Sequence, residues 1–343
     1  MEEYNTFKEF ISAHKDSIYS TICSYMPSGR PEKFNNEIMR CYVDRKGKYS
    51  RPSYLLLWSL LYGGRIDNAV LPAAAQQLSE DSILMHDDIL DDNSVRRGDP
   101  AAHVLYGRNH AMTGGDALLA IAFKIANDAA YSIEKGGRAY FDKFSDIMLK
   151  TMQGQYLDVN LAALRDITKF TLEDYYESIH AKTAYYSVYG PMQCGAIIAG
   201  ADKDVIASIP AYGTPAGNAF QIQDDILDCI STEAKLGKAI GNDVKEGAKT
   251  IILWHAVQHA SGASLERLKG IYSKRLEDKT PDDIKFVIDA FKDLGSIRFA
   301  SEEAEKLASQ ALKEFESATS SLAESWIKRV ARDSIAYNVK RTE

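Results

Sequence analysis

Cysteine is sparse in this chain, and the four present, Cys23, Cys41, Cys194 and Cys229, stand far apart with no CxxC spacing. That argues against a zinc cluster and a disulfide framework and predicts four reduced core thiols. Proline is scarce too, at nine residues, and strand-like alternation closed by hairpin turns is almost absent, whereas helical patterns recur from end to end. The expected fold class is therefore all-α. No stretch approaches the roughly eighteen uninterrupted apolar residues of a membrane span, and MEEYNTFKEF lacks the basic-then-apolar build of a secretory signal. The expected location is cytoplasmic. Positive charge is not in excess: the formal net charge is −7, which argues against nucleic acid as a partner. No linker rich in Pro, Gly or Ser and no sustained repeat divides the 343 residues, so one large domain over residues 1–343 is expected.

The pentapeptide Asp-Asp-Ile-Leu-Asp occurs twice, from Asp87 to Asp91 and from Asp224 to Asp228, each time at the end of an apolar, helix-compatible stretch. On a helix, residues i and i+4 share a face, so Asp87 and Asp91 stack with Asp88 beside them, and Asp224, Asp225 and Asp228 repeat the geometry. Like charges held this close repel, and a cation is the remedy. All-oxygen donors that leave room for water and phosphate oxygens favour Mg²⁺. A single run of this kind reads equally well as a solvated acidic helix end. Two identical copies predict two faces of one metal site.

Basic residues stand at informative places around them. Arg96-Arg97-Gly98 follows Asp91, where paired guanidiniums clamp phosphate bidentately and Gly98 permits a tight exit from the helix; pairing with the acidic run is the alternative. Upstream, Lys46-Gly47-Lys48-Tyr49-Ser50-Arg51-Pro52 precedes the apolar LLLWSLL, and a helix N-terminus there favours an anion. Lys182-Thr183 interrupts an aromatic-rich helical run, and Gly237-Lys238 with Gly241, Asp243 and Lys249 forms a basic loop after the second cluster.

Together these elements resemble the trans-type isoprenyl diphosphate synthases, which include the farnesyl and geranylgeranyl diphosphate synthases. The resemblance runs from about Gly47 to Lys249 and rests on GKYSRP, HDDILDDNSVRRG, GQYLD, the Lys182-Thr183 pair, FQIQDDILD and GKAIGND. It implies a single large helical bundle with a central cavity, the isoprenoid-synthase-like fold, working as a homodimer. By position, Asp87, Asp91 and Asp158 would ligate two Mg²⁺ ions, and Asp224, helped by Asp225 and Asp228, a third. Arg96, Lys182, Thr183, Gln221 and Lys238 would hold an allylic diphosphate; Gly47, Lys48, Arg51 and Arg97 would hold isopentenyl diphosphate; Asp243 would support the metal cluster.

The implied reaction ionises the allylic C–O bond, lets the isopentenyl alkene attack the cation, and then loses a proton, with no protein nucleophile. Tyr185, Tyr186 and Phe220 are aromatic faces near the implied site, with ordinary packing as their alternative role. Three positions depart from the family pattern. Tyr49 replaces an arginine, as in the eukaryotic farnesyl type. Ala248 replaces a lysine, with Lys249 as the expected substitute. Glu80 stands where the family places His or Gln to bind isopentenyl diphosphate, and a carboxylate facing a diphosphate is repulsive unless protonated, turned away or bridged by a cation. Ile83 and Ser82, four and five residues before Asp87, occupy the family's product-length floor. Neither is aromatic, so products of C20 or longer are expected, unless Ser82 faces another helix. Two rivals remain: a class I terpene cyclase and a non-catalytic partner subunit of a prenyl synthase.

Overall fold

The computed structural model describes residues 3–230 and 241–337. Helices account for most of it, as expected, and the chain divides into two compact units. The first comprises Met1–Ile147, Ser187–Pro210 and Glu316–Ser334, and the second Met148–Tyr186, Ala211–Phe315 and Ile335–Glu343.

In the first unit, α1 (Phe7–Tyr25), α3 (Ser50–Leu61), α4 (Ile66–Leu90), α6 (Arg108–Ser132) and α9 (Gly190–Ile198) make the main contacts, α4 packing along α6 and α3 against α9. From Pro52 to Leu61, α3 is buried on every side, which is why its sequence is apolar without amphipathic alternation. Gly195 lets α9 close on it, because a Cβ there would stand 2.2 Å from the Leu55 carbonyl oxygen. Two short helices, α2 (Arg40–Asp44) and α5 (Ala102–Tyr106), border this packing.

Between α4 and α5 lies the one β-element among the described residues, an antiparallel hairpin of Val95–Arg96 with Asp99–Pro100. Arg97 and Gly98 form its turn at φ of +56° and +82°, the signature of a type I′ turn. Gly98 therefore serves a hairpin, not a helix exit. With two residues per strand, the hairpin is too short to leave the alternation by which strands are recognised.

The second unit is built on α7 (Gly137–Ala163) from Met148, α8 (Leu172–Ile179) and α10 (Lys203–Ile230) from Ala211, with the helices that follow. Its core gathers Ile167, Phe170, Ile222, Ile226, Ile251 and Phe291. A capping box between Thr171 and Asp174 starts α8. The helical run around Lys182-Thr183 comes in three pieces: α8, a π-helix over His180–Tyr189, and α9 with Pro191 in its first turn. The helix Ser296–Ala318 is amphipathic, with Ala300 and Ala304 against the core. Of the cysteines, Cys194 and Cys229 are buried, whereas Cys23 and Cys41 are only partly so and fall outside the predicted core role; all four are free thiols.

Candidate functional site

The last turn of α4 carries the first aspartate cluster, and the backbone bond from Asp91 N to the Asp87 carbonyl (2.9 Å) keeps those two residues in helical register. Asp87 and Asp91 are half-buried, but Asp88 is wholly inside. Both Asp88 oxygens are taken: Arg96 Nε donates to each at 3.0 Å, and Tyr42 Oη donates to Oδ2 at 2.5 Å. Matched by a bidentate guanidinium and a phenol, the Asp88 carboxylate holds the hairpin to α4. Arg96, assigned to the allylic diphosphate, is the partner in that pair.

Its neighbour Arg97 donates from Nη1 to the Tyr42 carbonyl (2.5 Å) and from Nη2 to Asp81 Oδ1 (2.8 Å). Burial pushes the Asp81 carboxyl up to about 6, against the downward pull of Arg97. The preceding residue, Glu80, does not face outward as an isolated anion: its Oε1 lies 2.9 Å from Arg51 Nη1. The loop supplying Gly47 and Lys48 enters α3, which carries Arg51, through two residues at positive φ, Lys46 (+49°) and Tyr49 (+60°), a strained backbone of the kind that accumulates at binding sites. Lys48 is exposed in this loop. Gly47 has a steric task, because a Cβ there would meet the Arg97 guanidinium at 2.6 Å.

Ser82 is fully buried and donates to the Gly115 carbonyl on α6 (2.8 Å). It faces a neighbouring helix, the weighed alternative to a place on the product floor. Ile83, half-buried and one helical turn before Asp87, shares that aspartate's face.

In the second unit, α10 ends in the second cluster, whose burial runs in parallel with the first. Asp224 is exposed and Asp225 and Asp228 are buried. Asp225 accepts from Tyr175 Oη (2.8 Å) and from Gln221 Nε2 (2.9 Å), and Gln221 Oε1 accepts from Thr183 Oγ1 (2.7 Å). Burial drives the Asp225 carboxyl up to about 7 despite those two donors. Asp228 accepts through Oδ2 from the backbone N–H of Asp243 (3.1 Å), in the first turn of the helix Asn242–Glu246. Asp225 and Asp228 thus each accept from a donor of the protein itself.

Asp158, on α7, is half-buried and pairs with Lys182 Nζ at 2.6 Å. Lys182 and Thr183 lie on the π-helix, which Gly154 and Gly217 admit at close range: Cβ atoms there would stand 2.5 Å from Lys182 N and 2.4 Å from Ala184 Cα. Lys238 and Gly237 lie outside the described residues. Lys249 is buried, with Nζ donating to the Gly247 and Ala162 carbonyls (2.7 and 3.4 Å), so it does not reach outward to replace a lysine at Ala248. Tyr185 faces the Lys150 ammonium, 5.5 Å from its ring centre. Both line an open cavity of about 920 Å³ with Gln153, Tyr156, His180 and Asn218.

In the first unit Asp87 and Asp91 are half-buried, and in the second Asp158 is half-buried and Asp224 exposed, each offering the hard oxygen that suits Mg²⁺. Among the described residues no three His, Cys, Asp or Glu side chains gather to hold a metal ion, and magnesium held by one or two carboxylates, waters and substrate phosphates needs no such group. Motif reading missed three residues of this machinery, Tyr42, Asp81 and Tyr175. The signal for Asp81 was present as two consecutive acids, Glu80 and Asp81, inside a segment of α4 buried on all faces. The two tyrosines left none.

Residues 32–291 match the family model for polyprenyl synthetase. A short chain isoprenyl diphosphate synthase from Methanothermobacter thermautotrophicus is 36% identical over 256 residues, covering 74% of this chain and 75% of that protein. Geranylgeranyl pyrophosphate synthetase from Pyrococcus horikoshii superposes with a TM-score of 0.82 at 30% identity, covering 98% of this chain and 99% of that one. Geranylgeranyl pyrophosphate synthase from Corynebacterium glutamicum, crystallised with isoprenyl diphosphate and magnesium, has a TM-score of 0.86 at 22% identity, covering 98% and 99%; it attests the fold alone.

Proposed function

Because this chain belongs to the polyprenyl synthetase family, we propose that it is a Mg²⁺-dependent trans-prenyltransferase, elongating an allylic diphosphate with isopentenyl diphosphate to a product of C20 or longer. The observation that carries the reading is the shared division of labour in the two pentapeptides. In each, the second aspartate is buried against protein donors, while the first stays accessible.

Asp87, Asp91, Asp158 and Asp224 would hold Mg²⁺, three ions in all, which when bound neutralise the charge developing on the departing diphosphate. Lys182, Thr183 and Gln221 hold that diphosphate, joined by Lys238 and by Arg96, whose guanidinium Asp88 orients. Gly47 makes room for Arg97, and Lys48, Arg51 and Arg97 bind the second diphosphate. The apolar helix faces keep water from the allylic cation, and the closing proton passes to an oxygen of the departing pyrophosphate, so no side chain acts as nucleophile.

The chain acts as one domain over 1–343, in keeping with a family match that passes through both compact units. It works in the cytoplasm as a homodimer; among the described residues no helix is long and apolar enough to cross a membrane. An exposed apolar stripe on α7, Leu149, Met152, Tyr156 and Val159, follows one helical face and suits a second copy of the chain. A monomeric mass by light scattering would remove the dimer from this reading.

A terpene cyclase is not favoured, because it has no use for GKYSRP or a second complete aspartate motif. A non-catalytic subunit is disfavoured by both clusters being intact. The deciding experiment incubates the protein with Mg²⁺, labelled isopentenyl diphosphate and dimethylallyl, geranyl or farnesyl diphosphate. Elongated products support the proposal, cyclised hydrocarbon from the allylic substrate alone supports the cyclase, and no product supports the subunit.

A further inference from the structure

Arg51 and Arg97, the two guanidiniums assigned to isopentenyl diphosphate, are each matched by a buried carboxylate. Arg51 Nη1 lies 2.9 Å from Glu80 Oε1, and Arg97 Nη2 lies 2.8 Å from Asp81 Oδ1. Glu80 and Asp81 are consecutive on α4, with 7% and 1% of their surface exposed. Two cations and two anions cancel where a diphosphate, with several negative charges of its own, requires a surplus of positive charge.

The two carboxylates are not equivalent. Asp81 receives both Arg97 and the Gln77 amide (3.3 Å), as a structural anion does. Glu80 is held through one oxygen, and its buried Oε2 has no hydrogen-bond partner among the described residues. Its ion pair with Arg51 thus leaves the second oxygen buried and unmatched. Its charge is also felt nearby: after burial, the repulsion from Glu80 helps raise the Asp81 carboxyl, with Arg97 opposing.

We propose that Glu80 sets the affinity for the second substrate, its carboxylate competing with the diphosphate of isopentenyl diphosphate for the guanidinium of Arg51. The inference rests on the function proposed above. Binding then requires Arg51 to leave Glu80 or to be shared between two anions, and either raises the KM for this substrate without touching that for the allylic one.

The test is Glu80→Gln, which keeps the side-chain size and removes the charge. Each substrate is varied in turn at saturating concentration of the other, with farnesyl diphosphate as primer. The KM for isopentenyl diphosphate is expected to fall on the order of 10-fold, while the allylic KM changes less than about 2-fold. A second readout is thermal: without ligand the variant melts below wild type, having lost a buried pair, yet isopentenyl diphosphate raises its melting temperature more. An unchanged or higher KM, or an equal or smaller ligand-induced rise, overturns the inference. If Glu80→Gln does not fold, Glu80→Met removes the same charge without a buried amide and is judged by the same criteria. Wild-type protein that elongates no primer sinks the functional reading itself; wild type that elongates, beside a variant with unchanged KM, sinks only the role of Glu80.

Discussion

The guanidinium of Arg97 occupies the space that a side chain on Gly47 would need, Nη2 standing 2.6 Å from the position of its Cβ. Two segments fifty residues apart in sequence thus interlock: a loop strained at Lys46 and Tyr49, and a hairpin turned through Arg97 and Gly98 at positive φ. The glycine of GKYSRP is there for the second arginine of NSVRRG.

Gly47→Ala should therefore act through Arg97. Displacing the guanidinium leaves Asp81 buried without its cation, at an expected loss of about 1–3 kcal/mol in denaturant unfolding. The KM for isopentenyl diphosphate should rise about 10-fold with it. Wild-type stability together with a wild-type KM would show that Arg97 can retreat without consequence.

Asp87→Ala and Asp224→Ala remove accessible carboxylates whose neighbours are held by other groups. Each should cut turnover on the order of 100-fold or more, with helicity by circular dichroism little changed. Asp88→Ala differs in kind, because Arg96 loses its buried partner, so a fall in melting temperature should accompany its loss of activity. Full turnover in either of the first two variants contradicts the metal assignment.

Ile83, and not the Ser82 bonded to Gly115, is the residue expected to set product length. Ile83→Phe places an aromatic ring one turn below Asp87 and should shorten the product. Ser82→Phe must instead fit a ring into the α4–α6 contact and break the bond to Gly115, so destabilisation by about 1–3 kcal/mol is expected. Chromatography of the prenyl products after dephosphorylation, alongside thermal melts, checks both. An Ile83→Phe product distribution like that of wild type refutes the placement.

Lys249 predicts a pH dependence of stability. Burial, reinforced by Lys279 and Arg165, lowers its pKa from 10.5 to about 7. The folded chain therefore binds this proton less readily than the unfolded chain does. The cost is fully present below pH 7 and is relieved as pH climbs from 7 towards 10.5, so this group makes stability rise across that window. Lys279, lowered to about 8 mainly by burial, contributes with the same sign. Lys249→Met should be the more stable protein at pH 6, with its advantage shrinking as pH rises to 10. Parallel stability curves for the two proteins would rule this out.

Much of the fold was legible because helices are written in local periodicity. The all-α class follows from it, and so does the stacking of Asp91 on Asp87. The 172–200 stretch was harder, since its helical spacing does not register the π-helix that carries Lys182 and Thr183. A hairpin with two residues per strand left no period to detect.

The sequence by itself determined the helical class, the places of both acidic clusters and the oxygen chemistry that suits magnesium, because these depend on residue type and spacing along a few helical turns. Only the tertiary structure decided which carboxylates remain available. Asp88 is taken by Tyr42 and Arg96, Asp225 by Tyr175 and Gln221, and Glu80 by Arg51. Most of those partners lie far off along the chain, and a buried charge takes whichever partner packing brings within reach.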